Sequence, residues 1–348
     1  MNPFLAPLAA GFRLGVALRS TAHRHGWLKT RRLTAPVISI GNLTVGGTGK
    51  TPLVQLVASI LLRKGIKPAI LTRGYGRRNK ADVIVVPPEP ERRADAREIG
   101  DEPALLARAL PEVPIIICAD RFRGGTVAEQ RFHVDVHVLD DGFQHLALAR
   151  DLDIVAFDVS TPPSDLALLP AGRAREPLAA LARAQCIVFT RTASGDLSKW
   201  NELIGRNSLG LEYFHASTEL VGITDVASGA AVSVDSLRRK RLLAFCGIAN
   251  PVAFFQDAKR WGLDLVAEHA FPDHHVYTEK DLGKLVAEAR QQAATALLTT
   301  EKDAVKLAAA GGWELPVLAG GIAFRVLEAE KFERTLFTHL GRVQGSRA

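Results

Sequence analysis

Pro36-Val-Ile-Ser-Ile-Gly-Asn-Leu-Thr-Val-Gly-Gly-Thr-Gly-Lys-Thr51 is the stretch whose reading decides the fold. Val37, Ile38 and Ile40 form a short apolar run of strand character, and after Thr51 the residues Leu53, Val54, Leu56, Val57, Ile60 and Leu61 recur at helical spacing. A glycine loop between a strand and a helix turns successive backbone N–H groups towards a phosphate chain, and the helix N-terminus adds its positive end. Thr44, Val45, Gly46, Gly47, Thr48, Gly49, Lys50 and Thr51 are therefore the candidate nucleotide cradle, with Lys50 reaching the β- and γ-phosphates and the Thr51 hydroxyl reaching Mg²⁺. The first glycine of the usual G-x-x-x-x-G-K-[ST] pattern is replaced by Thr44, and Gly46, Gly47 and Gly49 supply the flexibility instead. Binding of ATP or GTP is the premise that follows.

Working outward, Pro68 to Thr72 reads as a second strand that runs into a basic loop containing Arg73 and Arg77. Loops at the carboxyl ends of strands line the ligand crevice of an open α/β sheet, which makes these arginines candidates for phosphate contact. Residues 87–98 are rich in proline and charge and read as an exposed loop. In Gly100-Asp101-Glu102-Pro103 the carboxylates precede a helix expected near Pro103, where local pattern alone gives them a capping role. Pro114 to Asp120 reads as a strand followed by Arg121, and Val134 to Asp141 as one that ends in two carboxylates, Asp140 and Asp141. That is where P-loop proteins place the acidic group that holds Mg²⁺, and either aspartate could serve. Leu152 to Asp158 and Cys186 to Thr190 complete an alternating pattern, with Arg173 and Arg175 in the loop between them. The expected fold class is α/β, a P-loop NTPase-like, mostly parallel sheet with helices on both faces.

Residues 192–240 lose the long apolar runs, and Leu220 to Thr224 suggests linker strands. The strand and helix rhythm returns with a strand from Leu242, a helix over Pro251 to Trp261 capped by Asn250, and a strand over Leu263 to Phe271. His274 stands out in the following Phe271-Pro-Asp-His-His. A strand from Ala296 and a final helix over Leu327 to Leu340 end the pattern. The expected organisation is an N-terminal amphipathic helix in 1–32, a nucleotide-binding core in 33–215, linker strands in 216–240 and a smaller α/β unit in 241–348.

The formal net charge of +7 conceals an asymmetry: residues 1–81 hold fourteen Lys or Arg and no acid, while the remainder has 30 basic against 37 acidic residues. A cationic end of this kind suits a polyanionic partner such as a membrane surface, a nucleic acid or a phosphorylated substrate. The three cysteines, Cys118, Cys186 and Cys246, lack any CxxC spacing and read as core residues of a reducing compartment. Residues 3–18 are interrupted by Pro7 and Arg13, too short an apolar run to span a bilayer. On a helix, Phe4, Leu5, Leu8, Phe12 and Val16 could share one side, which suits a membrane interface, a helix packed on the body, or a transit peptide.

Taken together, Ser39-Ile-Gly-Asn-Leu-Thr-Val-Gly-Gly-Thr-Gly-Lys-Thr-Pro, Thr72-Arg-Gly-Tyr-Gly, Gly100-Asp-Glu-Pro, Leu139-Asp-Asp-Gly-Phe-Gln-His, Arg175-Glu-Pro-Leu, Phe271-Pro-Asp-His and Thr300-Glu-Lys-Asp resemble, in order, the tetraacyldisaccharide 4′-kinase family. The resemblance implies transfer of the γ-phosphate of ATP, with Mg²⁺, to the 4′-hydroxyl of an acylated disaccharide 1-phosphate lipid, forming lipid IVA in lipid A biosynthesis. It implies a monomer, peripheral on the cytoplasmic face of the bacterial inner membrane, with no nucleic-acid partner. It further implies that Asp101 accepts the sugar hydroxyl proton with help from His274, that Lys50 stabilises phosphate charge, and that Thr51 with Asp140 or Asp141 holds the metal. Arg73, Arg121 and Arg175 become candidates to clamp the 1-phosphate or the transferring group. A GTPase switch would want [NT]-K-x-D, and Thr300-Glu-Lys-Asp has one residue too many. Neither such a switch nor a kinase of soluble metabolites needs an acid-free amphipathic N-terminus.

Overall fold

The computed structural model describes residues 5–89, 95–193, 197–205, 210–307 and 314–347. The first part of the chain supplies strands β1 (Val37–Gly41), β2 (Pro68–Thr72), β3 (Val83–Val86), β4 (Ile115–Cys118), β5 (Val136–Asp140), β6 (Leu152–Asp158) and β7 (Cys186–Thr190). The second supplies β8 (Glu212–Asp225), β9 (Ala231–Val232), β10 (Arg241–Cys246), β11 (Asp264–Ala270), β12 (Ala296–Thr300) and β13 (Val317–Val326). All belong to one sheet in the order β11-β10-β12-β13-β8-β7-β6-β1-β5-β2-β4-β3, with β9 on β8. The α-helices are α1 (Ala6–Arg24), α2 (Lys50–Arg63), α3 (Ala96–Ile99), α4 (Asp101–Ala109), α5 (Arg121–Arg131), α6 (Leu197–Gly205), α7 (Val234–Leu237), α8 (Pro251–Arg260), α9 (Glu279–Gln291), α10 (Glu301–Leu307) and α11 (Ala329–Arg347).

Successive apolar residues of the strands serve opposite faces. Ile38, Ile40, Ile70 and Val138 pack with residues of α2, α4 and α11, whereas Val37, Leu71 and Leu139 pack with Ala128 of α5. A strand covered on both sides has no polar face, which is why these segments read as unbroken apolar runs. The second block repeats the device, with Leu242, Ala244 and Cys246 on one face and Leu243 and Phe245 on the other. All three cysteines are free and buried.

Strand β8 joins the two blocks and decides where the site lies. It runs parallel to β7 from Glu212 to Ala216, then antiparallel to β13 from Ala216 to Asp225. It therefore leaves the first block at that block's carboxyl edge and meets a second parallel block running the other way. The carboxyl ends of both blocks consequently face each other. Strand β12 stops at Thr300, level with Gly320 and so with Ile223 of β8. The stretch of β8 from Ala216 to Ile223, about 23 Å of strand, sets the width of the gap.

Several segments differ from the sequence reading. The region expected to hold linker strands carries the fourteen-residue β8. Strand β13 escaped notice because Gly320 and Gly321 break its apolar run. Part of the segment expected as loop is the short helix α3, while residues 90–94 of that segment lie outside the described residues. In α1, Phe4 lies outside the described residues, and Leu8, Leu14 and Leu18 are each 61% exposed. The helix is thus apolar on more than one side and is not packed on the body along its length. Among the described residues no helix is long and apolar enough to cross a membrane.

Gly41 ends β1 where a Cβ would come within 2.5 Å of Phe143 Cβ and 2.8 Å of its backbone nitrogen. Gly41→Ala is expected to lower stability by about 1–3 kcal/mol through overpacking, read as a lower denaturation midpoint in urea.

Candidate active site

The gap between the facing edges is a cleft of about 730 Å³ lined from both blocks. On the first side, the glycine loop leaves β1 and enters α2 through Gly49, whose φ of 81° lies in the left-handed region. A Cβ there would stand 2.3 Å from the Phe324 ring of β13, so both the backbone and the space require glycine. Val45 N–H donates to the Arg173 carbonyl and the Arg173 guanidinium to the Val45 carbonyl, which pins the loop's outer edge. Gly47 and Gly49 line the cleft, and among the described residues their amides donate to no protein acceptor.

Asn42, buried behind the loop, donates to Thr48 Oγ1 (2.8 Å) and accepts from Lys50 Nζ (3.2 Å) and from the Arg175 guanidinium. Arg175 also forks onto Asp141, with contacts of 2.8 and 2.7 Å, and Lys50 stands 3.6 Å from the same carboxylate. Burial pushes the Asp141 carboxyl up, but Lys50 and Arg175 outweigh it and hold the group well below the usual carboxylate range. Asp140 is opposite in character. It is buried, it accepts from Thr72 Oγ1 (3.1 Å), and burial together with the Asp141 and Glu102 charges pushes it up to about 6. Two adjacent carboxylates thus differ because Lys50 attracts both but the Arg175 fork closes on Asp141 alone.

Thr51, Asp140 and Asp141 all line the cleft and offer hard oxygen donors. Among the described residues no group of three or more His, Cys, Asp or Glu side chains converges as a metal cage. The donor set is of the kind that suits Mg²⁺, which keeps waters and phosphate oxygens and needs only one or two protein carboxylates.

From the second block come His274, after β11, and the residues after β12. His274 has a left-handed φ of 60°, and its Nδ1 lies 3.0 Å from Asp101 Oδ2 at the first turn of α4. The hydrogen bond to Asp101 raises the His274 pKa against its burial. Lys302 pairs with Glu102 at 2.8 Å, and that attraction overcomes burial to hold Glu102 below its ordinary value. Tyr75 stacks obliquely beside His274, with ring centres 5.5 Å apart.

Of the residues singled out from the sequence, Gly46 to Thr51, Arg73, Arg121, Asp140, Asp141, Arg175 and His274 line one cleft, whereas Thr44 and Val45 do not and Asp101 is joined to it through its hydrogen bond with His274. Among the arginines, Arg73 is exposed on the lining, whereas Arg121 is only 4% exposed and donates to the Cys118 and Ala119 carbonyls. Arg175 is engaged within the protein. Sequence reasoning passed over Asn42, Gln144, Lys302 and Lys306. Asn42 lay within the quoted loop but is marked only by its place directly after a buried strand. Arg19 of α1 was also missed; it reaches the cleft and donates to the Gln144 carbonyl.

A parallel sheet whose first strand opens into this loop, facing an acidic strand end and a histidine–aspartate pair, defines a P-loop phosphotransferase. A model of the tetraacyldisaccharide-1-P 4′-kinase family matches residues 1–341. The tetraacyldisaccharide 4′-kinase of Geobacter metallireducens is 41% identical over 303 residues, covering 87% of this chain and 88% of that protein. That of Koribacter versatilis is 39% identical over 345 residues, covering 97% and 99%. The crystal structure of "apo" form LpxK from Aquifex aeolicus in complex with ATP matches with a TM-score of 0.75 at 30% identity, covering 97% of this chain and 98% of that one. The chain belongs to the tetraacyldisaccharide 4′-kinase family, and is accordingly an ATP-dependent kinase of lipid A biosynthesis.

Because the folded pKa of Asp140, about 6, lies above its ordinary 3.8, burial costs nothing below pH 4 and its full amount above pH 6. Asp140→Asn is expected to raise the melting temperature of the nucleotide-free protein at pH 7, to leave it unchanged near pH 4, and to abolish turnover. Calorimetry across that range checks the sign.

Proposed function

We propose that the cleft carries ATP with its phosphates over Thr44 to Thr51 and passes the γ-phosphate to the 4′-hydroxyl of tetraacyldisaccharide 1-phosphate, giving lipid IVA. Asp101 takes the hydroxyl proton. The observation that carries this reading is the pairing of Asp101 with His274, 173 positions away, His274 itself lining the same cleft as the glycine loop. His274 occupies Oδ2 of Asp101, leaving Oδ1 as the oxygen that receives the proton. A sugar hydroxyl ionises far above neutral pH, so the carboxylate acts mainly as the O–H bond weakens in the transition state, by alignment and hydrogen bonding.

Lys50 supplies positive charge to the transferring group, and Arg175 acts by fixing Asp141 and Asn42. Thr51 and Asp140 would hold Mg²⁺, which when bound neutralises phosphate charge. Arg73 and Arg121 are assigned to substrate phosphate, Arg121 because its buried Nε has no partner among the described residues. Residues 33–215 handle the nucleotide and 241–348 bring His274, with 216–240 connecting them.

The acylated substrate stays in a bilayer, and we assign the protein, as a monomer, to the cytoplasmic face of the inner membrane. The exposed apolar residues of α1 and the absence of acid before Asp82 support that placement. Asp101→Asn is expected to lower kcat by about 10²–10⁴-fold while ATP affinity stays unchanged, measured by transfer of labelled phosphate into an organic extract and by calorimetric titration. Normal turnover would remove Asp101 from the chemistry. Replacing Leu8, Leu14 and Leu18 by serine is expected to weaken co-sedimentation with anionic vesicles and leave ATP affinity unaltered.

A further inference from the structure

Thr300-Glu301-Lys302-Asp303 opens helix α10 on the far side of the catalytic pair. Asp303 is 0% exposed, yet its Oδ2 accepts from the Gly247 N–H at 3.0 Å and the Thr300 hydroxyl at 2.7 Å, and Lys306 Nζ forms an ion pair with its Oδ1 at 2.8 Å. A carboxylate this deep is retained only with its charge answered. Lys306, its side chain 8% exposed, lies 3.7 Å from Asp101 Oδ2 and 5.3 Å over the Tyr277 ring. Gly247 carries the second branch, because its carbonyl accepts the backbone N–H of His274 at 3.1 Å. Both members of the pair, which come from α4 and from the loop after β11, are thereby tied to a single buried carboxylate.

The charged and titratable groups around Asp101 are Glu102 on its own helix, Asp273 and His274 after β11, Tyr277, and Lys302, Asp303 and Lys306 of α10. Lys302 answers Glu102 at 2.8 Å and Asp273 at 3.6 Å, so Lys306 is the α10 cation nearest to Asp101. A cation at that distance favours the ionised carboxylate.

We propose that Lys306 is a positioning residue that sets its positive charge against Asp101 and keeps that carboxylate aimed, and that Asp303 sets both Lys306 and, through Gly247, His274. The proposal rests on Asp101 acting as the base. In the transfer the 4′-oxygen bonds to the γ-phosphorus, and the bond from that phosphorus to the β,γ-bridging oxygen breaks with its electron pair leaving on ADP. The hydroxyl proton passes to Asp101, and Lys306 is no party to the transfer.

The test is the pH profile of kcat and the KM for ATP, with the lipid substrate in detergent micelles, for the unaltered enzyme, Lys306→Met, Lys306→Arg, Asp303→Asn and Asp101→Asn, each with its melting temperature. Lys306→Met is expected to move the acid limb up by about one pH unit and to lower kcat about tenfold at the acid end, with the KM for ATP unchanged. Lys306→Arg is expected to restore most of both, and Asp303→Asn, where it folds, to move the limb in the same direction. An acid limb that stays in place in Lys306→Met overturns the proposal, whether or not the melting temperature falls, and leaves Lys306 a packing role. Full turnover in Asp101→Asn overturns the base assignment instead, so the two failures are separable.

Discussion

The antiparallel seam between β8 and β13 is the constraint from which the rest of this molecule follows. Each parallel block alone would present its loops to solvent at a carboxyl edge, as open α/β sheets do. Pairing the blocks through one strand that overshoots the first and enters the second turns those two edges towards each other. The site is accordingly made from loops after β1, β2 and β5 on one side and after β10, β11 and β12 on the other. The seam floors the gap between them with Thr218, Gly320, Ile322 and Phe324.

Within that gap, charge is distributed unequally. Arg175 and Lys50 answer Asp141, Lys302 answers Glu102, and His274 with Lys306 answers Asp101. For Asp140 burial and the like charges of Asp141 and Glu102 outweigh the attraction of Lys50 and the Thr72 hydrogen bond. Left-handed backbone at Asp141, Arg191 and His274, all on the cleft wall, belongs to the same pattern of local strain at a working site.

Much of the fold and of the first side of the site was legible because it is written locally. An apolar run, a glycine loop and a helical stripe occupy consecutive residues, and Asp140 and Asp141 declare themselves by ending a strand. Asp101 and His274 were legible only through family resemblance, since nothing local brings residues 173 apart together. Lys306 was illegible for a related reason: it gains its meaning from Asp303 one turn before it and from a carboxylate on another helix. Arg175 shows the converse limit, for an arginine in a loop announces a charge but not whether a phosphate or an aspartate will take it. The seam was hidden because β13 contains adjacent glycines and only four of the fourteen β8 residues are buried.

Phe324 and Val326 of β13, with Phe332, Leu336 and Leu340 of α11, share a core with Leu53 and Val54 beneath the glycine loop. The nucleotide cradle is thus written within the first fifty-one residues but finished by residues near the chain's other end. On the ribosome, the early half must wait with its oily underside uncovered until the late half emerges. Any stalled or truncated product ending before β13 is therefore a client for chaperones and proteases rather than a smaller nucleotide-binding protein.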